Sequence, residues 1–167
     1  GWMPGPMPEK TQNEFATRLI GELMGTGPKK GYTHRWIPNH LQDAQRRVVP
    51  RSILNLLGYA AQQEQRRPLA RGQRLLAPQD LAEALTETSR RRVSELLEEY
   101  RLVQRLENLR GRRLLLDQKE VIDLLGTPVP GETPGLTTEG EAVLDELVRL
   151  GVISVRLDKR IDVPDIY

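Results

Sequence analysis

The chain has 167 residues, enough for one good core or two small ones, and its 38% hydrophobic content is low but carried in strongly periodic segments. With no cysteine it can form neither disulfides nor thiolate metal sites, which fits a reducing compartment such as the cytoplasm. A net charge of +2 hides a division: up to Arg113 there are 20 Lys+Arg against 12 Asp+Glu, and from Leu114 onward 5 against 11, so the first part is the one to test for phosphate contacts against plain solvated helix faces. No apolar run approaches the roughly 20 residues of a membrane span and no cleavable signal is visible, so no membrane partner is expected.

With one Phe and two Trp, the core must be built from Leu, Val, Ile and Ala, which suits helix packing. Gly1–Pro8 (GWMPGPMP) is rich in Pro and Gly and reads as a linker. The spacing of Phe15, Ala16, Leu19, Ile20, Leu23 and Met24 predicts a helix over Glu9–Met24, stopped by Gly25. Gly25–Tyr32 (GTGPKKGY) then reads as a flexible basic loop. It lacks the G-x-x-x-x-G-K-[ST] spacing of a phosphate-cradling P-loop and follows a helix instead of a strand, so it is not a Walker A motif. Two readings stay open, a plain exposed loop and a phosphate-contact loop that uses Lys29 and Lys30.

Trp36-Ile37-Pro38 opens a short helical turn. Pro50 sits well at the first position of a helix running to Gln65, whose expected apolar stripe is Ile53, Leu54, Leu57, Ala60 and Ala61. Arg51 falls in the first turn, where a cation opposes the helix dipole by a few tenths of a kcal/mol up to about 1. Asp43 is its ordinary candidate partner and a phosphate the functional one. Glu64–Gln73 (EQRRPLARGQ), broken by Pro68 and Gly72, reads as a loop. Pro78 starts a helix with Leu81, Ala82 and Leu85, and Thr86–Ser89 offers a turn. Val93, Leu96, Leu97, Tyr100, Val103, Leu106 and Leu109 then keep helical period up to Gly111.

Arg112–Leu116 is a short strand candidate, and Asp117 caps a helix over Gln118–Leu125 that ends at Gly126. After the Pro-rich loop Thr127–Gly135, Thr137 and Thr138 can cap a helix marked by Ala142, Val143, Leu147, Val148 and Leu150 and stopped by Gly151. From Val152 the period changes to two, Asp158-Lys159 supplies a turn, and Arg160–Val163 returns. Helix, strand, helix, loop, helix and two-stranded ribbon is winged-helix order. The expected fold is mainly α, with a linker over residues 1–8, a helical subdomain over 9–95 and a winged helix over 96–167.

A groove-reading helix needs Lys or Arg against the phosphates. The penultimate helix offers Glu139, Glu141, Asp145 and Glu146 against a lone Arg149, so groove insertion would bring four carboxylates towards a polyanion. The ribbon has Arg156, Lys159 and Arg160, with Asp158 and Asp162 among them. Contact with protein, or with the rest of its own polypeptide, is therefore the preferred role; the competing class is a nucleic-acid-binding module using the basic first half and the ribbon. No catalytic constellation is expected. His34 and His40 lack an H-E-x-x-H setting, and none of Ser52, Ser89, Ser94 and Ser154 lies in G-x-S-x-G.

Met24–Trp36 (MGTGPKKGYTHRW), His40–Gln62, Ser89–Tyr100 (SRRRVSELLEEY) and Arg156–Tyr167 (RLDKRIDVPDIY) together resemble the C-terminal region of a family of poorly characterised bacterial P-loop ATPases, similar in style to the STAND and KAP groups. The likeness runs from about Phe15 to Tyr167. It implies a helical lid and a winged helix without the nucleotide-binding core, hence no enzyme activity and no cofactor in this chain, ATP and Mg belonging to a longer parent protein. It also implies that Arg51 is a sensor-like arginine reaching the terminal phosphate; in the reading of this chain as an ATPase region, Lys29, Lys30, His34 and Arg35 would turn with it towards nucleotide or core. Glu139, Glu141, Asp145, Glu146, Arg156, Lys159 and Arg160 would then face a partner, the ATPase core of the same polypeptide or another protein.

Overall fold

A computed structural model describes residues 7–26, 28–66, 74–112, 115–132, 134–137 and 139–167. Most of the expected linker, the loop around Pro68 and Gly72, the middle of the first strand candidate and the Thr138 cap lie outside these residues. The protein is mainly helical with a small three-stranded antiparallel sheet. Among the described residues no helix is long and apolar enough to cross a membrane. Contacts divide the chain into two compact units, Gly1–Leu41 with Val49–Thr88, and Gln42–Val48 with Ser89–Tyr167.

In the first unit, α1 (Glu9–Leu19) ends five residues before the expected Met24. Gly21 takes a positive φ of 125°, which only glycine adopts freely, and the carbonyl of Leu19 receives the N–H groups of both Leu75 and Leu76 at 3.0 Å. Leu23 and Met24 leave helical geometry: Leu23 forms a bridge with Tyr32, and Met24 N–H donates to Gly31 O. A single 3-10 turn, Pro28–Lys30, sits inside the loop so closed. The buried residues of α1 and its end are Ala16 and Ile20, while Phe15 is 59% exposed.

α2 (Thr33–Leu41) begins earlier than the turn expected at Trp36 and tolerates Pro38 in its interior. α3 (Pro50–Arg66) starts at Pro50 as expected, but its buried face is Ser52, Leu56, Ala60 and Glu64, a strict four-residue row rotated from the expected stripe. α4 (Pro78–Glu99) is continuous through Thr86–Ser89. Its start is closed by Asp80, whose Oδ2 accepts from Ala77 N–H at 3.0 Å. Thr88 is fully buried mid-helix because its hydroxyl donates to Ala84 O at 2.9 Å, so no unsatisfied group forces a break.

The interruption comes instead at Tyr100, after which Arg101–Leu109 forms a 3-10 helix that buries Val103, Arg105 and Leu109. In the second unit this helix is followed by β1 (Leu116–Asp117), α5 (Gln118–Leu125), α6 (Gly140–Arg149), β2 (Ser154–Val155) and β3 (Arg160–Asp162). Asp117 caps α5 through its side chain, which accepts from Lys119 N–H at 2.9 Å. β3 is central in the order β1-β3-β2, with Leu116 opposite Ile161 and Val155 opposite the same Ile161. β2 is shorter than expected because Val152 and Ile153 are still tied to α6, both N–H groups donating to Leu147 O. The core joins Leu96, Val103, Val121, Leu125, Val143, Leu144, Leu147, Ile153 and Ile161. α5 and α6 approach so closely that a Cβ on Gly140 would fall 1.9 Å from Ile122 O.

Candidate functional site

Of the basic residues singled out in the first unit, His34 and Arg35 meet at the Glu9 carboxylate. Lys29 and Lys30 are exposed on the 3-10 turn. Arg35, on α2, instead reaches back to α1, donating to Glu9 Oε1 from Nη2 at 2.7 Å and from Nε at 3.1 Å, with its guanidinium 5.8 Å from the Tyr32 ring centre. That hydrogen bonding, with a further contact from His34 Nε2 at 3.4 Å, holds the Glu9 carboxyl below its ordinary pKa and raises that of Arg35. His40 stacks on Trp36, ring centres 4.1 Å apart, and its Nδ1 lies 2.8 Å from Trp36 O. Neither histidine therefore faces the other. Arg51 is exposed in the first turn of α3. The Asp43 carboxylate, its expected neighbour, is bound by Arg47, whose Nε donates to Oδ2 at 2.8 Å.

Asp43, expected as the partner of Arg51 within a helical turn running to Ala44, lies instead beyond the end of α2 at Leu41. Gln42–Val48 is built around it: Asp43 Oδ1 accepts from Gln45 N–H and Arg47 N–H at 2.8 and 2.9 Å. The segment lies against the end of α6, where Ala44 N–H donates to Gly151 O at 2.8 Å and the Gln45 side-chain amide to Arg149 O at 2.9 Å. The last carbonyls of a helix have no partner within it, and this segment supplies them. Gly151 is left-handed at φ 77°, a conformation that favours glycine, and a Cβ there would press on Asp43 Oδ2 at 2.9 Å.

On α6 and the ribbon, Glu139, Glu141 and Asp145 are exposed, and Glu146 is half-buried. Arg149 grips Glu146 with both ends of its guanidinium, at 2.7 and 2.5 Å, and Arg160 does the same work on Asp158 from Nε at 2.7 Å. Those hydrogen bonds lower the pKa of Glu146 and Asp158. Arg156 and Lys159 remain exposed around the hairpin, whose tip residue Leu157 has no cover at all, at 106% exposure. The turn is closed by Lys159 N–H on Arg156 O, with Lys159 left-handed at φ 59°.

The residue that organises the connection between α5 and α6 is one that periodicity could not mark. Arg105 is fully buried. Its Nη1 donates to Leu125 O at 2.6 Å, its Nη2 to Glu132 Oε1 at 2.5 Å, and its Nε lies 2.5 Å from Glu132 Oε2. Glu132 also accepts from Val129 N–H at 2.9 Å. One guanidinium thus covers the end of α5 and pins the loop that leads to α6. Asn108 adds to it, its side-chain amide donating to Leu124 O and Thr127 O at 2.9 and 2.7 Å.

No group of three or more His, Asp or Glu that could hold a metal ion occurs among the described residues. A cleft of about 680 Å³ opens in the first unit beside the glycine-rich loop, and of the predicted phosphate contacts it includes Lys30 alone. No family model, curated protein or solved structure matches the chain.

Proposed function

We propose that this chain is a non-catalytic docking and regulatory region of a P-loop ATPase, and that its second unit is a winged helix engaging polypeptide. The order β1-α5-α6-β2-β3, with β3 central, supports the winged-helix reading. The observation that carries the docking role is the charge on α6. Glu139, Glu141 and Asp145 stand exposed on it, while its Arg149 is spent on Glu146. Such a helix repels phosphate and suits a basic or hydrogen-bond-donating protein surface. The cytoplasm is the proposed setting.

Titration of a fluorescently labelled duplex by anisotropy tests this directly. Saturable binding is not expected at about 0.15 M salt; a complex whose affinity falls steeply between about 0.05 and 0.2 M salt would overturn the docking role. It would favour the second reading, nucleic-acid contact through the exposed Arg156 and Lys159 around Leu157. For the ATPase setting, Arg51 is proposed to reach the nucleotide's terminal phosphate. In the intact ATPase, Arg51→Ala is expected to lower ATP turnover while leaving this region folded by circular dichroism, the residue being exposed. Unaltered turnover removes that role.

A further inference from the structure

We propose that the cleft of the first unit binds a small phosphate ester with a flat ring, of the nucleoside monophosphate class. Its volume of about 680 Å³ lies within the range of small-molecule sites, roughly 300–1,000 Å³. The cleft brings together Lys30 and Arg74 as cations, Trp36 as a flat aromatic wall, Met24 and Ala82 as apolar surface, and Glu22 as an acceptor. Neither Lys30 nor Arg74 has an ion pair or hydrogen bond among the described residues, whereas the nearby Arg35 is bound to Glu9.

Two glycines make room for the two cations. A Cβ on Gly21 would fall 2.8 Å from the Arg74 guanidinium carbon, and Gly21 is left-handed at φ 125°, so the guanidinium lies directly over bare backbone. A Cβ on Gly25 would fall 3.2 Å from Lys30 Cγ, so the stem of that lysine also rests on a residue without a side chain. With Lys30 and Arg74 both lining the cleft, its charge matches a phosphate dianion, Lys as a point charge and Arg as a planar fork. The indole of Trp36, backed by its stack on His40, offers a surface for a purine or pyrimidine ring. Glu22 can accept from the hydroxyl or amino donors that such a ligand carries and inorganic phosphate lacks.

Trp36 also reports on the site. In the full-length chain carrying Trp2→Phe it is the one remaining tryptophan. Titration with AMP is expected to give a saturable change in its fluorescence. The pair Lys30→Gln and Arg74→Gln, both at exposed positions, is expected to weaken AMP by about tenfold or more with the circular dichroism spectrum unchanged. Adenosine alone and inorganic phosphate alone should each bind at least about tenfold less tightly than AMP. No saturable signal up to about 5 mM AMP, or an affinity unaltered in the double variant, overturns the proposal. Inorganic phosphate binding as tightly as AMP overturns it too, since the ring would then add nothing. Neither substitution touches α6, so the docking role stands or falls separately.

Discussion

Arg105 brings a full positive charge into the interior of the second unit, and its value depends on every one of its hydrogen-bond partners being present. Taking a guanidinium out of water costs several kcal/mol unless an opposite charge and good geometry offset it. Glu132 supplies the opposite charge and one direct hydrogen bond, so removing one member alone leaves the other stranded. Arg105→Ala is expected to lower unfolding stability by about 3–5 kcal/mol in a urea titration, whereas replacing the pair together by apolar residues of similar volume should cost far less. The acid side has a defined sign. Hydrogen bonding from Arg105 holds the Glu132 carboxyl below its ordinary value of 4.5, so its contribution is present above that pH and is lost as the pH falls through the depressed folded value. Glu132→Gln should therefore flatten the acid limb of stability against pH; a limb of unaltered slope would show that the ion pair contributes nothing. The exposed pairs Arg35–Glu9 and Arg160–Asp158 titrate in the same direction but are screened by solvent and weigh little.

At the scale of elements, α3 shows how a stripe can be right in kind and wrong in angle. Its apolar residues are dense enough that several faces could be buried, and the neighbouring helices select the row Ser52, Leu56, Ala60 and Glu64. Leu56 is fully buried and Leu54 is 70% exposed. Leu56→Ala should cost about 2–5 kcal/mol and Leu54→Ala less than about 1 kcal/mol in thermal or chemical unfolding; equal costs would contradict the packing. Where a boundary is set by a local signal, it was legible. α5 runs over Gln118–Leu125 as expected: its start is set locally by the Asp117 cap, while its last carbonyls are covered by Arg105 and Asn108. The end of α1 was not legible in this way. Gly21 and the distant Leu75 and Leu76 decide it together, and only one of these lies near enough in sequence to be noticed. Arg105 is the extreme case, since its partner Glu132 is 27 residues further on and nothing in the 3-10 helix distinguishes a buried arginine from a solvated one.

At the scale of the whole molecule, the proposed roles fall in different places: an anion-binding cleft in the first unit, and an acidic helix with a mixed-charge hairpin in the second. The charge division along the chain does not follow this contrast: it falls at Arg113, inside the second unit, so that Arg90, Arg91, Arg92 and Arg101 belong to the same unit as the acidic α6. It could not announce the cleft. That depends on Gly21 meeting Arg74 and Gly25 meeting Lys30, and the first of these pairs is separated by a helix-helix stretch that sequence spacing does not close.

The segment Gln42–Val48 has a practical consequence. Because it leaves the first unit after α2 and returns to it at α3, having closed the end of α6 on the way, a single cut anywhere in the chain cannot liberate the second unit intact. A piece beginning at Ser89 would leave the Gly151 carbonyl without Ala44 and strip Asp43 and Arg47 from beside Gly151. Anyone excising that half for crystallisation or partner screening would do better to graft these seven residues back, ahead of Ser89 or behind Tyr167, than to trim at the apparent joint.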